Sequence, residues 1–302
     1  MKILYVASVP HSGSTILANA LGELDGFFSA GELMFLPHVV RAGRMCGCGL
    51  AFDRCPVWSQ VLDAPPPLPD DRWLLARNLP FIVLGHPPGG GDAHKRYRRA
   101  LRDLYARIVE ATGCRVVVDS SKAPSYAHAL ASIDEVDLYV IHVVRDPRAT
   151  AFSWRRFGKR LDTSPFYFGL VWSYWNATIP LVARRPDRYR LVRYEEFIAR
   201  PEETLRSLAA FVGEPVDALP FTEDGRLRLG VNHTAAGNNN RFRIGEVELR
   251  LDDASASVPA RTRLATTLAT WPLERLLDYF TTSVPIARAA APSPRRPESS
   301  SP

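Results

Sequence analysis

Residues 8-SVPHSGSTIL-17 follow a short apolar run and place hydroxyls, a glycine and a histidine where a strand would give way to a helix. Successive backbone N–H groups and the positive end of a helix dipole meet at such a turn, which makes it an anion site. Gly13 lets the backbone approach the anion closely, and Ser12, Ser14 and Thr15 add hydroxyl donors. A merely capped helix start is the plainer alternative. Against the nucleotide-loop pattern G-x-x-x-x-G-K-[ST], Ser8 stands at the first glycine and Ser14 at the lysine. Transfer of a terminal phosphoryl group normally uses that lysine and Mg²⁺ to offset charge on the β- and γ-oxygens, so the missing lysine points away from ATP. A sulfuryl group carries less negative charge, and neutral donors with one or two cations suffice for it without a metal.

A second anion element lies in 144-VRDPRATAFSW-154. Arg145 leaves an apolar run, Pro147 suits a first helical turn and Asp146 can cap it. An arginine at a strand's carboxyl edge and Ser153 about two turns into the next helix can clamp one phosphate through charge-assisted bonds. The alternative is a structural ion pair of Arg145 with Asp146 or another carboxylate.

These residues need a scaffold, and the chain supplies alternating patterns. The segments 2-KILYVAS-8, 115-RVVVDSS-121, 138-LYVIHVV-144 and 188-RYRLVRY-194 are short, β-rich and nearly continuously apolar, as strands buried on both faces are. Helical patterns lie at 14–24, 96–112, 123–133, 147–161 and 166–185. The expected fold is α/β, a three-layer sandwich with a central parallel sheet flanked by helices. Residues 1–286 read as a single domain. The stretches 63-DAPPPLPDD-71 and 86-HPPGGGDAHK-95 read as loops, and about 43–95 as an insertion over one end of the sheet on the acceptor side. The low-complexity tail 287–302 reads as disordered.

The 302 residues are 46% apolar and 10% aromatic, enough for one substantial core, and the formal charge is +6. The excess arginine is scattered along helical stretches such as 96-RYRRALRDLYAR-107, which fits a solvated helix face better than a nucleic-acid groove. The apolar run from Ile3 to Ala7 is too short for a secretory signal, and no run approaches a membrane span, so a cytoplasmic protein is expected. Cys46, Cys48 and Cys55 cluster within ten residues. They could be three zinc ligands with His38 as the nearest fourth, include a local disulfide, or be free thiols.

With both anion elements in place, the chain resembles the sulfotransferases that use 3′-phosphoadenosine-5′-phosphosulfate (PAPS), in their bacterial branch related to the tyrosylprotein and carbohydrate enzymes. Further similarity runs through 119-DSSKAP-124, 191-LVRYEEF-197, 201-PEETLRSLAAFVGEP-215 and 233-HTAAGNNNRFR-243. The resemblance covers about residues 2 to 250 and implies a P-loop-like fold. It implies that Ser12, Gly13, Ser14 and Thr15 hold the 5′-phosphosulfate and that Arg145 and Ser153 hold the 3′-phosphate. Tyr194 would lie near the nucleotide, and Arg241 would close over the 3′-phosphate or adenine. It also implies that the transfer requires no metal.

Transfer to a hydroxyl needs a base for the acceptor proton and positive charge at the leaving oxygen. By the resemblance, Glu32 in 29-SAGELMF-35 would be the general base, and Lys122 would neutralise the transferring group. Asp119 and His128 are the fallback bases. His11 departs from the family, which usually carries Arg or Lys there, and an imidazole would be charged only in part. A bound anion would favour its cationic form. The implied activity is transfer to a hydroxyl of a small molecule, glycan or lipid, with acceptor and oligomeric state open. The rivals are an ATP-dependent kinase and a catalytically silent nucleotide-binding protein.

Overall fold

The nearly continuous apolar runs are strands because helices cover both faces of their sheet. In the computed structural model, which describes residues 1–63, 79–84, 91–157, 164–183, 185–251 and 258–277, β1 (Lys2–Ser8), β2 (Phe27–Gly31), β3 (Val116–Lys122), β4 (Asp137–Val144) and β5 (Tyr189–Arg193) form one parallel sheet in the order β2-β3-β1-β4-β5. The surrounding helices are α1 (Ser14–Gly22), α2 (Leu36–Arg41), α3 (Trp58–Val61), α4 (Leu79–Val83), α5 (Asp92–Thr112), α6 (Pro124–Leu130), α7 (Pro147–Phe157), α8 (Pro165–Val182), α9 (Tyr194–Ala199), α10 (Pro201–Phe211) and α11 (Ala260–Leu276). A hairpin of β6 (Leu227–Leu229) and β7 (Gly245–Val247) completes the described elements.

The two-residue period of β1 divides the core. Ile3, Tyr5 and Ala7 pack with Leu101, Leu104, Tyr105 and Ile108 of α5, while Leu4 and Val6 pack with Leu17 and Leu21 of α1 and Leu205 and Leu208 of α10. Each buried isoleucine, leucine or valine among them contributes about 1.5–3 kcal/mol. A third cluster joins Val9 and Val144, just past β1 and at the end of β4, to Ala151 of α7 and Phe168 and Trp172 of α8. It packs beside the exits of β1 and β4. Winding reverses between β1 and β4, the place where parallel α/β sheets bind ligands at their carboxyl edge.

Several boundaries differ from the sequence expectation. β2 was not among the apolar runs because it is a five-residue edge strand interrupted by Ser29 and closed by Gly31. α5 begins at Asp92, inside the stretch expected to be loop, and Gly113 stops it in the left-handed conformation at φ 66°. Neither the hairpin nor α11 was anticipated; α11 lacks a clean apolar stripe, carries Pro272 and gains its place by packing on α8, where Gly169 lets Ala269 come close. Residues 64–71, 86–90 and the tail from 287 lie outside the described residues. Among the described residues, no helix is long and apolar enough to cross a membrane.

A buried polar pin ties β4 to its neighbours. His142 is fully buried; its Nδ1 lies 2.7 Å from the Tyr189 hydroxyl on β5 and its Nε2 lies 2.7 Å from Oδ1 of Asn176 on α8. Burial pushes its pKa from 6.5 to about 4, so the neutral ring is the folded form. A depressed histidine contributes stability that is complete above its unfolded pKa and is lost as pH falls through its folded one. The wild type is therefore expected to gain about 3 kcal/mol over His142→Phe between pH 4 and 6.5. Urea denaturation of both proteins across that range measures it, and a pH-independent difference would refute the pin.

Candidate functional site

Every strand of the sheet delivers one element of the site at its carboxyl end. β1 runs into the loop Val9–Gly13 and α1, β2 into Glu32, β3 ends on Lys122, β4 releases Arg145, and β5 leads into Tyr194. Five sequence-distant groups thus meet because parallel strands all point the same way.

The loop after β1 turns through left-handed backbone twice, at His11 (φ 70°) and Gly13 (φ 83°). An L-residue rarely adopts this conformation, at a cost of about 1–2 kcal/mol. Gly13 carries a further constraint: a Cβ there would lie 2.1 Å from Cε2 of Tyr194. Ser12, Ser14 and Thr15 are buried at the start of α1, and the hydroxyls of Ser8 and Ser12 have no hydrogen-bond partner among the described residues. Buried polar atoms are rarely left so.

The second anion element closes on this loop through His11. Arg145 donates from Nη1 to the His11 carbonyl at 3.1 Å, and its guanidinium stands 4.9 Å from the centre of the Tyr194 ring. Ser153 Oγ lies 3.3 Å from His11 Nδ1, and the neighbouring Trp154 ring is 5.6 Å from the imidazole. Asp146 does cap α7, accepting from the N–H groups of Arg148 at 2.7 Å and Ala149 at 3.3 Å, and its ion pair is with Arg148. The structural pairing of Arg145 with Asp146 is therefore not the arrangement found. His11 is held below its usual pKa by burial first, then by Lys122 and Arg145, with Glu32 opposing. The chain's own groups thus favour a neutral ring.

Across the loop stand Lys122 and Glu32. The β1–β3 register slips by one residue between the Tyr5–Asp119 and Ala7–Lys122 pairs, and Lys122 itself takes φ 70°. A bulge and a left-handed residue together re-aim the side chain. Its ammonium donates to Glu32 Oε1 and to the Ser120 carbonyl at 3.2 Å. Both members of this ion pair are largely buried, so each keeps the other's charge compensated. Asp119 is fully enclosed, accepting from the Ser121 N–H at 2.7 Å and from the Tyr105 hydroxyl, and burial raises its pKa to about 6. It supports the β3 turn.

Arg241 follows Asn239 and Asn240 in a short helical turn that α1 contacts through Asn19, whose Nδ2 donates to the Asn240 carbonyl at 3.4 Å. The guanidinium is buried, donates to the Met45 carbonyl at 3.1 Å and stacks 4.6 Å from the Phe242 ring centre; its Nε has no partner among the described residues.

Sequence reasoning missed how the 232–236 segment joins the site. Ala235 N donates to the Ala30 carbonyl at 2.8 Å and Glu32 N to the Ala236 carbonyl at 3.0 Å, so this segment holds the end of β2 and the turn bearing Glu32. None of the four cysteines is disulfide-bonded, and the histidine beside Cys46, Cys48 and Cys55 is His233 rather than His38. A sequence offset of almost 180 residues hid that neighbour. A cavity of about 560 Å³ lined by Glu23, Asp25 and Arg115 lies by the amino ends of β2 and β3, away from these residues.

Residues 4–218 match the sequence model described as the Sulfotransferase family. Among solved structures, the sulfotransferase domain from the Synechococcus PCC 7002 olefin synthase is 22% identical at a TM-score of 0.51, covering 89% of this chain and 94% of its own. The sulfotransferase domain from the curacin biosynthetic pathway is 18% identical at a TM-score of 0.50, covering 89% of this chain and 98% of its own. At these identities the likeness establishes the fold. No curated protein sequence matches the chain.

The Gly13–Tyr194 contact is testable by a double-mutant cycle. Gly13→Ala is expected to cost about 2 kcal/mol or more in urea denaturation, from the left-handed backbone plus the clash. Combined with Tyr194→Ala it should recover part of that loss, a positive coupling. Additive single effects would show that the ring does not define the loop.

Proposed function

The chain belongs to the sulfotransferase family, and we propose that it moves a sulfuryl group from PAPS to a hydroxyl of a small molecule, glycan or lipid. The observation that carries this reading is the meeting of two anion elements at His11, with Arg145 on its carbonyl and Ser153 at its ring, beside a helix start with an unpartnered buried hydroxyl. A hydroxyl-rich loop with an arginine and a serine closing on it would suit a nucleotide phosphorylated at two positions.

The residues present fit such a donor. Ser12, Gly13, Ser14 and Thr15 would hold the 5′-phosphosulfate, Arg145 and Ser153 the 3′-phosphate, and Tyr194 would flank the nucleotide. Arg241 would add its unpaired Nε. When bound, the donor supplies the sulfuryl group; the rest falls to side chains of this protein. Glu32 would accept the acceptor's proton at its carboxylate, and Lys122, released from Glu32 as that charge is neutralised, would offset charge at the transferring oxygens. The His11 ring would donate a hydrogen bond toward the leaving oxygen. The acceptor would enter beside the 43–95 region of a single domain spanning residues 1–286.

Calorimetric titration with 3′-phosphoadenosine-5′-phosphate, against ADP and against ATP with Mg²⁺, tests the donor class. Micromolar or tighter binding is expected for the 3′-phosphorylated nucleotide alone; equal binding of ATP would replace this reading with a kinase. Arg145→Ala should weaken that binding at least about tenfold, since each lost charge-assisted bond is worth roughly 1.5–3 kcal/mol, and wild-type affinity would remove the clamp assignment. Glu32→Gln should keep the nucleotide affinity and slow transfer by roughly 10² to 10⁴. A fully active Glu32→Gln enzyme would require another base.

A further inference from the structure

Cys46, Cys48, Cys55 and His233 bring four metal-binding atoms within 4.8 Å of one another. The Cys55 sulfur lies 3.6 Å from that of Cys46 and 3.3 Å from His233 Nδ1. Zinc bound at about 2.3 Å to sulfur and 2.0–2.1 Å to nitrogen has tetrahedral ligand edges of roughly 3.4–3.8 Å. These two edges fall near that range and the remaining pairs lie within 4.8 Å, whereas a disulfide would need the sulfurs about 2.05 Å apart. We propose that Cys46, Cys48, Cys55 and His233 form a closed, structural zinc site of three thiolates and one imidazole, separate from the anion site and independent of the sulfuryl-transfer reading.

The backbone around the cluster is built for it. Met45 and Ala51 pair as an antiparallel bridge, and Cys46 N donates to the Leu50 carbonyl at 2.8 Å, which folds the Cys-Gly-Cys-Gly turn back on itself. Gly47 N donates to the Thr234 carbonyl at 2.9 Å, and a Cβ on Gly47 would lie 2.1 Å from Asn232 Oδ1, so the turn packs closely against the segment carrying His233. Trp58, on the helix after Cys55, donates from Nε1 to the His233 carbonyl at 2.6 Å and so sets the main chain of the fourth ligand. Cys46 and Cys55 are buried, and all four positions are filled by protein, the mark of a structural rather than a catalytic zinc. Binding would expel three thiol protons to solvent with no change in oxidation state.

Its position gives the ion a purpose. It would clamp the turn whose Met45 carbonyl receives Arg241 to the segment whose Ala236 carbonyl receives the Glu32 N–H. One metal would thereby hold two separate walls of the anion site to the edge of β2.

The test is elemental analysis of the full chain, purified under reducing conditions without chelator, together with Co²⁺ exchange. About one zinc per chain is expected, and Co²⁺ should give the visible bands of a tetrahedral thiolate site. His233→Ala should weaken metal affinity at least about tenfold, and His233→Cys, which keeps four ligands, should restore it. If the alanine variant does not fold, the wild-type zinc content and Co²⁺ spectrum decide alone. Less than about a tenth of a zinc per chain with no thiolate–Co²⁺ spectrum would overturn the site, as would a Cys46–Cys55 disulfide found by mass spectrometry in metal-free reduced-and-reoxidised and as-purified protein alike.

Discussion

The turn between β1 and α1 rests on left-handed backbone at His11 and Gly13, and the neighbouring strand ends are arranged to support it. Glycine takes such a conformation freely, but histidine does not. The cost at His11 is offset where its carbonyl accepts from Arg145 and its ring meets Ser153 and Trp154. Tyr194 lies against Gly13 so closely that no side chain fits. The groups that support the turn are thus the same groups proposed to grip the nucleotide.

The other wall depends on a compensated charge. Lys122 and Glu32 are largely buried and would each be costly alone. Their pairing keeps a cation and a carboxylate beside the loop without a bulk-water environment, and the bulged, left-handed end of β3 aims the lysine there. Burial first, then Lys122 and Arg145, lowers the His11 pKa. Around a loop without the usual lysine, the side chains of Lys122, Arg145 and His11 stand together instead. The cysteine–histidine cluster lies behind this wall, where it bears on Arg241 and on the β2 edge through backbone hydrogen bonds.

Much of this was legible in the chain itself. The runs 2–8, 115–121, 138–144 and 188–194 are apolar without interruption because both sheet faces are covered, so four strands and their parallel arrangement followed from pattern. Ser12 to Thr15, Asp146 and Pro147 announced two helix starts by local chemistry alone, since caps and glycines act within a few residues. β2, the β6–β7 hairpin and α11 were not announced, because an edge strand, a three-residue ladder and a helix without a clean stripe draw their stability from partners.

By itself, then, the sequence determined the sheet and the two loop-to-helix starts after β1 and β4, which are encoded in short-range periodicity and turn chemistry. Only the tertiary structure decided that His11 joins Arg145 to Ser153, that Lys122 pairs with Glu32, and that His233 rather than His38 completes the cysteine cluster. Those pairings span from about ninety to almost one hundred and eighty residues. Contacts at such separations are set by strand order and by which loops share an edge, and no local pattern carries that information.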